Sequence, residues 1–326
     1  MDTFFPHWGV PGGIVQTIIG SQFKGKCLPY PSEIRHEINI DDQTTVVLFK
    51  IEARDSNKPI ILLAHGMGGC SASGYIKRIS TKLWMQGYGV FLVNHRGSGP
   101  GMGLSSKLWN GGSSNDLSLM INFIIEKSSG KTLLPIGFSL SGNILLKYLG
   151  EEREVPKQIS GALAVNPPID LRASSYIISR KKSCWLFNRY YMKLIRNQAE
   201  AIASQFPNAL NPLKNIKTIW DFDVSYTAPV GGYKNVEHYY DQCSSMHYLK
   251  QIGTPTAILC ARDDPFIPAQ LFDKAEVSSH ISLHRPDGGG HMGYIAKTTT
   301  PYGDCRWMDY FIMEWVKINS SNESLS

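Results

Sequence analysis

The stretch TLLPIGFSLSGNILLKYL, residues 132–149, decides the fold, because it joins a strand to an amphipathic helix through one tight turn. Its first part, TLLPIGF, is a short apolar run of the kind found in strands buried on both faces of a parallel sheet. The helix begins directly after Ser139. A serine in such a strand-turn-helix elbow is held above the sheet, next to the backbone N–H groups of the helix N-terminus. The stretch therefore predicts that Ser139 is a nucleophile.

The elbow departs from the usual pattern at one place. The pattern Gly-x-Ser-x-Gly begins at Gly137, where the absence of a Cβ lets neighbouring backbone approach, but its fifth residue here is Ser141, followed by Gly142. Turns of small residues also connect strands to helices without any catalytic role. The elbow alone leaves both interpretations open, and the partner motifs favour the catalytic one.

Strands and helices are predicted to alternate along the chain. Besides the elbow strand, short apolar runs that indicate buried strands are PIILLA from Pro59, GVFLVN from Gly89, ISGALAVN from Ile159 and TPTAILCA from Thr254. Residues 33–52 alternate in polarity and predict an antiparallel pair at the start of the sheet. Segments with helical periodicity lie at 74–86, 115–127, 140–149 and about 305–317. This order predicts an α/β fold whose mostly parallel sheet is flanked by helices.

One interval does not fit a connecting loop. Residues from about 170 to 250 separate two predicted strands and are rich in aromatic and basic side chains. We interpret this interval as a mostly helical cap inserted over the carboxyl ends of the strands, where open α/β sheets bind ligands. The chain, 1–326, is thus expected to be a single domain with a cap insertion.

An acid is predicted at the end of the strand TPTAILCA. The motif ARDDPFIP follows that strand, and its Asp264 is our candidate for the acid of a catalytic triad. Asp263 is the adjacent competitor, and Asp170, after ISGALAVN, is a second and weaker candidate. The Asp-Asp-Pro sequence is also ordinary turn chemistry.

A base is predicted in the glycine-rich motif DGGGHMGY, which places His291 in a loop before the last helix. Such a loop can hold an imidazole over the elbow while the acid fixes its tautomer. A single histidine is usually a surface or core residue. The order Ser139, Asp264, His291 is, however, the chain order of the triad in the α/β-hydrolase fold, which is therefore our predicted fold class.

The motif AHGMGG directly follows the strand PIILLA. In the α/β-hydrolase fold the loop at this strand end supplies one donor of the oxyanion hole. We expect the backbone N–H of Met67 to be that donor and the N–H of Leu140 to be its partner. His65 is interpreted as a structural residue that holds the loop.

Composition excludes several other classes of protein. The chain has 33 basic and 27 acidic residues, a net charge of +6 spread along its length, and we predict no nucleic-acid partner. The run Arg180 to Lys182 is interpreted as a solvated helix face. Six cysteines, at positions 27, 70, 184, 243, 260 and 305, form neither CxxC pairs nor a zinc-like spacing, so no metal is expected.

The same cysteines indicate reduced thiols and a cytoplasmic location. The N-terminus, MDTFFPHWGVPGGIVQTIIG, has no basic region, and Pro and Gly interrupt its apolar stretch. We therefore expect neither a signal peptide nor a membrane span, while peripheral contact with a membrane stays open.

With these motifs placed, the sequence resembles the YheT-like branch of the α/β-hydrolase superfamily, which includes abhydrolase-domain esterases and lipases. The resemblance covers nearly the whole chain. It is carried by VQTIIG, AHGMGG, NHRGSG, WNGGSSNDL, GFSLSGN and the long segment from Phe222 through ARDDPF. It implies a carboxyl-ester hydrolase, with bacterial members acting as soluble esterases and eukaryotic members acting on phospholipids or other acyl lipids. It also implies a charge relay of Ser139, Asp264 and His291, in an elbow where the family usually has glycine in place of Ser141.

The predicted function is a serine carboxylic-ester hydrolase that works through an acyl-enzyme and needs no cofactor. Its expected substrate is a small acyl ester or a lipid. Two alternatives stay open at this point. An acyltransferase or thioesterase would use the same triad, and a binding protein with this fold would have lost turnover. The sequence leaves acyl length, head group and oligomeric state undetermined.

Overall fold

Eight strands form one sheet in the computed structural model, which describes residues 3–23, 28–210 and 216–321. The strands are β1 (Ile34–Asp41), β2 (Thr44–Ile51), β3 (Ile60–Ala64), β4 (Gly89–Asn94), β5 (Leu133–Phe138), β6 (Ala162–Val165), β7 (Thr256–Leu259) and β8 (Ile281–His284). Their order in the sheet is β1-β2-β4-β3-β5-β6-β7-β8. β2 is antiparallel to both of its neighbours, and all the other pairs are parallel. The predicted antiparallel start and mostly parallel sheet are confirmed.

Helices precede, connect and follow these strands. They are α1 (Gly12–Gln22), α2 (Gly74–Met85), α3 (Ser114–Lys127), α4 (Leu140–Gly150), α5 (Leu171–Arg180), α6 (Trp185–Gln205), α7 (Ile219–Phe222), α8 (Ala228–Val230), α9 (Val236–Cys243), α10 (Gln270–Lys274) and α11 (Trp307–Ser321). The helix predicted at about 305–317 begins and ends later, because Arg306 first forms a β-bridge with Ile295. The sequence did not predict α1 or α10.

Two apolar layers cover the two faces of the sheet. One contains alternate strand residues such as Leu62 and Phe91, packed with Met120 of α3. The other contains the intervening strand residues, such as Leu63, packed with Phe311 of α11. Burial of both faces explains why the central strands are continuous apolar runs in the sequence.

The interval between β6 and β7 is mostly helical where it is described. We call α5 to α9 the inserted helices. They are joined by a π-helical turn, Asp223–Thr227, between α7 and α8. Tyr239 and Tyr240 of α9 pack with Leu171 of α5 in a separate apolar cluster, so several of the aromatic residues form the core of the insertion.

Five of the six cysteines lie in the described residues and are free thiols: Cys70, Cys184, Cys243, Cys260 and Cys305. Cys27 lies outside the described residues. Within the described parts of the chain, no helix combines the length and the apolar character needed to cross a bilayer.

Candidate active site

Ser139 lies at the junction of β5 and α4, with backbone angles φ 51° and ψ −120°. A residue with a Cβ adopts such a conformation only where the surroundings hold it. Gly137 makes this turn possible, because a Cβ there would lie 2.5 Å from the carbonyl oxygen of Ser141. The N–H of Ser139 donates a 2.8 Å hydrogen bond to the carbonyl of Val165 at the end of β6. The elbow is therefore fixed to the next strand of the sheet.

The three residues predicted as a triad meet at this elbow. His291 Nε2 lies 2.9 Å from Ser139 Oγ, and His291 Nδ1 lies 2.8 Å from Asp264 Oδ2. If Asp264 is ionised it can only accept, so the His291 tautomer that satisfies both contacts carries its proton on Nδ1. Nε2 is then free to accept the hydroxyl proton of Ser139, which is the arrangement that a general base requires.

The carboxylate of Asp264 is held on both of its oxygens. Oδ1 accepts hydrogen bonds from the N–H groups of Phe266 at 2.8 Å and Ile267 at 3.2 Å. Oδ2 accepts from the side-chain amide of Asn166 at 2.7 Å as well as from His291. These contacts fix the orientation of a carboxylate whose side chain is fully buried.

Asn166 is a site residue that the sequence analysis missed. It directly follows β6 and has a φ of 47°, in a region that asparagine tolerates better than most residues. Its amide also donates to the carbonyl of Gly290 at 3.2 Å, and its Oδ1 accepts from the hydroxyl of Tyr294 at 3.0 Å. Asn166 thus links the acid to the loop that carries the histidine. Its position at the end of a parallel strand was the available signal.

The competing acids have other contacts. The carboxylate of Asp263 accepts a hydrogen bond from the N–H of Gly290 at 2.8 Å, and burial raises the pKa of Asp263. Asp263 therefore supports the histidine loop through its backbone. Among the described residues, Asp263 forms no hydrogen bond with the imidazole of His291. Asp170 caps α5, where its side chain accepts from the N–H of Ala173 at 2.9 Å. Neither acid occupies the position of Asp264.

The N-terminal helix supports the same loop. Thr17 of α1 accepts a 2.8 Å hydrogen bond from the N–H of His291, and Gln16 accepts one of 2.7 Å from the N–H of Ile295. The contact is close, since a Cβ on Gly290 would lie 2.2 Å from the carbonyl oxygen of Gly13. The motif VQTIIG thus has a structural role in holding His291.

The loop after β3 runs beside the nucleophile. A Cβ on Gly66 would lie 3.0 Å from Ser139 Cβ, and the next residue, Met67, lines the same cavity as Ser139. Leu140 is the first residue of α4, where a helix leaves N–H groups without a partner inside the helix. The two predicted oxyanion donors, Met67 and Leu140, therefore flank Ser139.

Two buried histidines hold this loop from behind. His65 Nδ1 lies 2.8 Å from the carbonyl of Gly66, and His95 Nε2 lies 2.7 Å from Ser141 Oγ. The hydroxyl of Ser141 in turn donates to the carbonyl of His65. The ring of His95 stacks on Trp109 with centroids 4.1 Å apart.

Burial lowers the pKa of His65 to about 4 and lowers that of His95 well below its usual range. Both rings are therefore neutral at pH 7. His65 has the structural position that the sequence analysis expected.

An apolar cavity of about 100 Å³ leads from Ser139 under the inserted helices. We call it the apolar cavity, and its apolar lining includes Leu108, Trp109, Leu171, Ile178, Ile195, Ile219, Phe222 and Phe266. It also contains one acid, Asp223, in the π-helical turn.

The carboxylate of Asp223 accepts hydrogen bonds from Thr227 at 2.7 Å, Tyr240 at 2.9 Å and Ser175 at 3.3 Å. Burial raises the pKa of Asp223 to about 6. Residues 3–23, 28–210 and 216–321 contain no group of three or more His, Cys, Asp or Glu side chains arranged to hold a metal ion.

Comparisons with known proteins agree with this geometry. Residues 59–298 match the family model described as the alpha/beta hydrolase fold. The candidate esterase YheT of Escherichia coli is 26% identical over 319 residues, which cover 96% of this chain and 92% of that protein. A monoacylglycerol lipase of Saccharomyces cerevisiae is 30% identical over 254 residues, which cover 74% of this chain and 56% of the yeast protein.

Solved structures show the same fold at lower sequence identity. The esterase Pf2001 of Pyrococcus furiosus superposes with a TM-score of 0.54 at 16% identity, covering 91% of this chain and 95% of its own. The 2,6-dihydroxy-pseudo-oxynicotine hydrolase gives a TM-score of 0.58 at 14% identity, covering 88% of this chain and 67% of its own. The sheet order, the elbow and the family match lead to one assignment. The chain belongs to the α/β-hydrolase family and is a hydrolase of its esterase and lipase type.

Proposed function

We propose that this chain is a serine carboxylic-ester hydrolase that cleaves acyl esters through an acyl-enzyme on Ser139. The observation that carries the proposal is the continuous line of hydrogen bonds from Ser139 through His291 to Asp264, at 2.9 and 2.8 Å. A nucleophile, a base and an orienting acid in this geometry are the parts that acyl transfer to serine requires. The names of the bacterial and yeast relatives support the same chemistry.

In the first half of the reaction, His291 Nε2 takes the proton of Ser139 as Oγ bonds to the acyl carbon of the ester. The resulting imidazolium gives that proton to the alkoxy oxygen, so the bond between the acyl carbon and that oxygen breaks and an alcohol leaves. In the second half, His291 takes a proton from water as the water oxygen bonds to the acyl carbon. Return of the proton to Ser139 Oγ releases the carboxylic acid. Asp264 holds the imidazole through its contact with Nδ1.

The oxygen of the acyl group becomes negatively charged in each half of the reaction. We propose that the backbone N–H groups of Met67 and Leu140 stabilise this charge. Removal of one donor of this kind raises a reaction barrier by about 3 kcal/mol. The neutral histidines behind the loop, His65 and His95, would keep the Met67 peptide in place without adding a charge that competes for the oxyanion.

The apolar cavity is proposed to hold the acyl chain. Its walls come from loops that follow the strands and from the inserted helices, which would act as a cap, at about residues 170–250, over the carboxyl ends of the strands. An acyl chain gains about 0.8 kcal/mol for each methylene that it buries. The expected partner is therefore a small acyl ester or a lipid with an apolar chain.

A nitrophenyl ester assay tests the proposal. The unaltered protein should release nitrophenol, and Ser139→Ala should lower kcat by at least about a thousandfold, as removal of a triad nucleophile does. Ser183→Ala, which alters a serine in the 3₁₀ turn between α5 and α6 and outside the cavity lining, is the matched control and should keep full activity. Full activity in Ser139→Ala would contradict the proposal. Equal release of free acid with and without added alcohol would separate hydrolysis from acyl transfer.

A further inference from the structure

A second and larger cavity, of about 760 Å³, opens on the other side of the nucleophile. We call it the larger cavity. Ser139 and His291 line both cavities, as do Met67 and Tyr191. An ester bound with its acyl carbon at Ser139 has two substituents, and each one has a separate cavity to enter. The apolar cavity suits the acyl chain, so the larger cavity is left to bind the alcohol part of the ester.

The larger cavity has a basic lining. Among its described lining residues, the lysine and arginine side chains are Lys77 and Arg78 of α2, and no aspartate or glutamate is among them. Arg78 is already engaged in an ion pair, because its Nε and Nη2 donate to the two oxygens of Asp309 at 2.6 and 3.0 Å. Among the described lining residues, Lys77 is therefore the cation available to a bound molecule.

Lys77 is held in place without a direct ion pair. Its Nζ lies 3.8 Å from the centroid of the Tyr30 ring, which also lines the larger cavity. The hydroxyl of Tyr30 donates to Glu33, so that carboxylate is engaged at the far end of the ring. Across the described residues, no carboxylate oxygen lies within 4.0 Å of Lys77 Nζ. A stacked ammonium keeps its hydrogen-bond donors for an anion.

We propose that the larger cavity binds the alcohol part of the substrate and that Lys77 recognises an anionic group, phosphate or carboxylate, on that alcohol. This inference rests on the proposed ester hydrolysis and adds the class of substrate. The two cavities differ in the sign of their lining charges as well as in polarity. Asp223 in the apolar cavity would repel an anion, whereas Lys77 in the larger cavity would attract one. The released alcohol keeps its anionic group and leaves through the cavity that is lined by Lys77.

Three esters with one short acyl chain test the inference: the monoacyl esters of glycerol, of glycerol phosphate and of glycerate. Each is used below the concentration at which it forms micelles, so that the charge of a lipid surface does not contribute. In Lys77→Gln, kcat/KM for an anionic ester should fall about tenfold, equivalent to 1.4 kcal/mol, while kcat/KM for the glycerol ester should stay unchanged. The anionic ester that responds identifies the group as phosphate or carboxylate.

Two further variants keep the result interpretable. Lys77→Arg retains the charge and should retain the preference for the anionic ester, while Lys250→Gln, at an exposed ion pair with Glu276, should change nothing. An unchanged ratio of anionic to neutral kcat/KM in Lys77→Gln would overturn the inference. Ester hydrolysis itself would then still stand, provided the glycerol ester is cleaved in a reaction that needs Ser139. If none of the three esters is cleaved, this inference fails, and the nitrophenyl ester assay with Ser139→Ala decides whether ester hydrolysis itself stands.

Discussion

Ser141 Oγ lies 2.7 Å from His95 Nε2 and donates its own proton to the carbonyl of His65, so one hydroxyl connects the elbow to the oxyanion loop. The position is one where the elbow pattern has glycine. Ser141 therefore occupies the glycine position of the pattern, and its hydroxyl forms two buried hydrogen bonds there. The bond directions are consistent, since His95 must be protonated on Nε2 to donate to an oxygen that is itself a donor.

Ser141→Ala should lower the free energy of unfolding by about 1–3 kcal/mol, because it leaves the His65 carbonyl and His95 Nε2 buried without this partner. Urea unfolding measures the change. Ser128→Ala is the matched control, since the buried hydroxyl of Ser128 has no hydrogen-bond partner among the described residues. An equal loss of stability in both variants would show that the bonds of Ser141 contribute nothing.

Asn166→Asp should lower kcat/KM and move the acidic limb of its pH profile toward higher pH. The new carboxylate replaces a donor to Asp264 and adds a negative charge, which favours the imidazolium form of His291 and removes the base. Aspartate tolerates the positive φ of this position, so the backbone should keep its shape. Asn115→Asp, at an exposed amide that contacts Arg153, is the control and should leave the profile in place. A profile of unchanged shape in Asn166→Asp would argue against the role of the amide.

Thr17→Val should reduce kcat about tenfold, with little change in KM, because the N–H of His291 loses its partner in α1. The substitution preserves the shape of the side chain and removes only its hydroxyl. Thr256→Val, at the start of β7, is a suitable control, as the Thr256 hydroxyl donates to the carbonyl of Thr254 and Thr256 lies outside both cavity linings. A fall in KM alone, or no kinetic change, would exclude α1 as a support for the base.

Asp223→Asn should make the free energy of unfolding fall less steeply as the pH rises from 4 to 7. Burial raises the pKa of Asp223 to about 6 in the folded protein, above that of an aspartate in the unfolded chain. The contribution of Asp223 to stability is therefore complete below its unfolded pKa and is lost as pH rises through its folded pKa. Between pH 4 and 7 the unaltered protein should lose on the order of 3 kcal/mol that the variant does not lose. Urea unfolding of both proteins, with the exposed Asp241→Asn as control, measures the difference. Parallel pH curves for Asp223→Asn and the unaltered protein would contradict the prediction.

The sequence predicted the sheet because its central strands are buried on both faces, and double burial leaves an unbroken apolar run that is easy to recognise. The sequence also predicted that Ser139, Asp264 and His291 lie close together, because the carboxyl ends of parallel strands meet at one edge of a sheet. The chain order of the three residues then matched one known arrangement.

Other parts of the site depend on contacts that no local pattern reveals. Asn166 reaches Asp264 and Gly290 across 98 and 124 residues of chain, and Thr17 reaches His291 across 274. The N-terminal stretch was expected to form neither a signal peptide nor a membrane span, and its motif VQTIIG carried only the family resemblance. The helix α1 was missed because Pro and Gly interrupt this stretch and because its support comes from packing on the histidine loop. The two cavities, and the position of Asp223 in one of them, could not be predicted from the sequence, because cavities form where separate elements of the fold meet.

The central claim is that Ser139 becomes covalently acylated during turnover. The most direct measurement is mass spectrometry of protein that has been quenched with acid during hydrolysis of a slowly cleaved ester, followed by peptide mapping. We predict that the mass of one acyl group is added at Ser139 and decays with the release of acid, and that it is absent from Ser139→Ala. Turnover with no adduct, or an adduct on a different residue that Ser139→Ala leaves intact, would contradict the account.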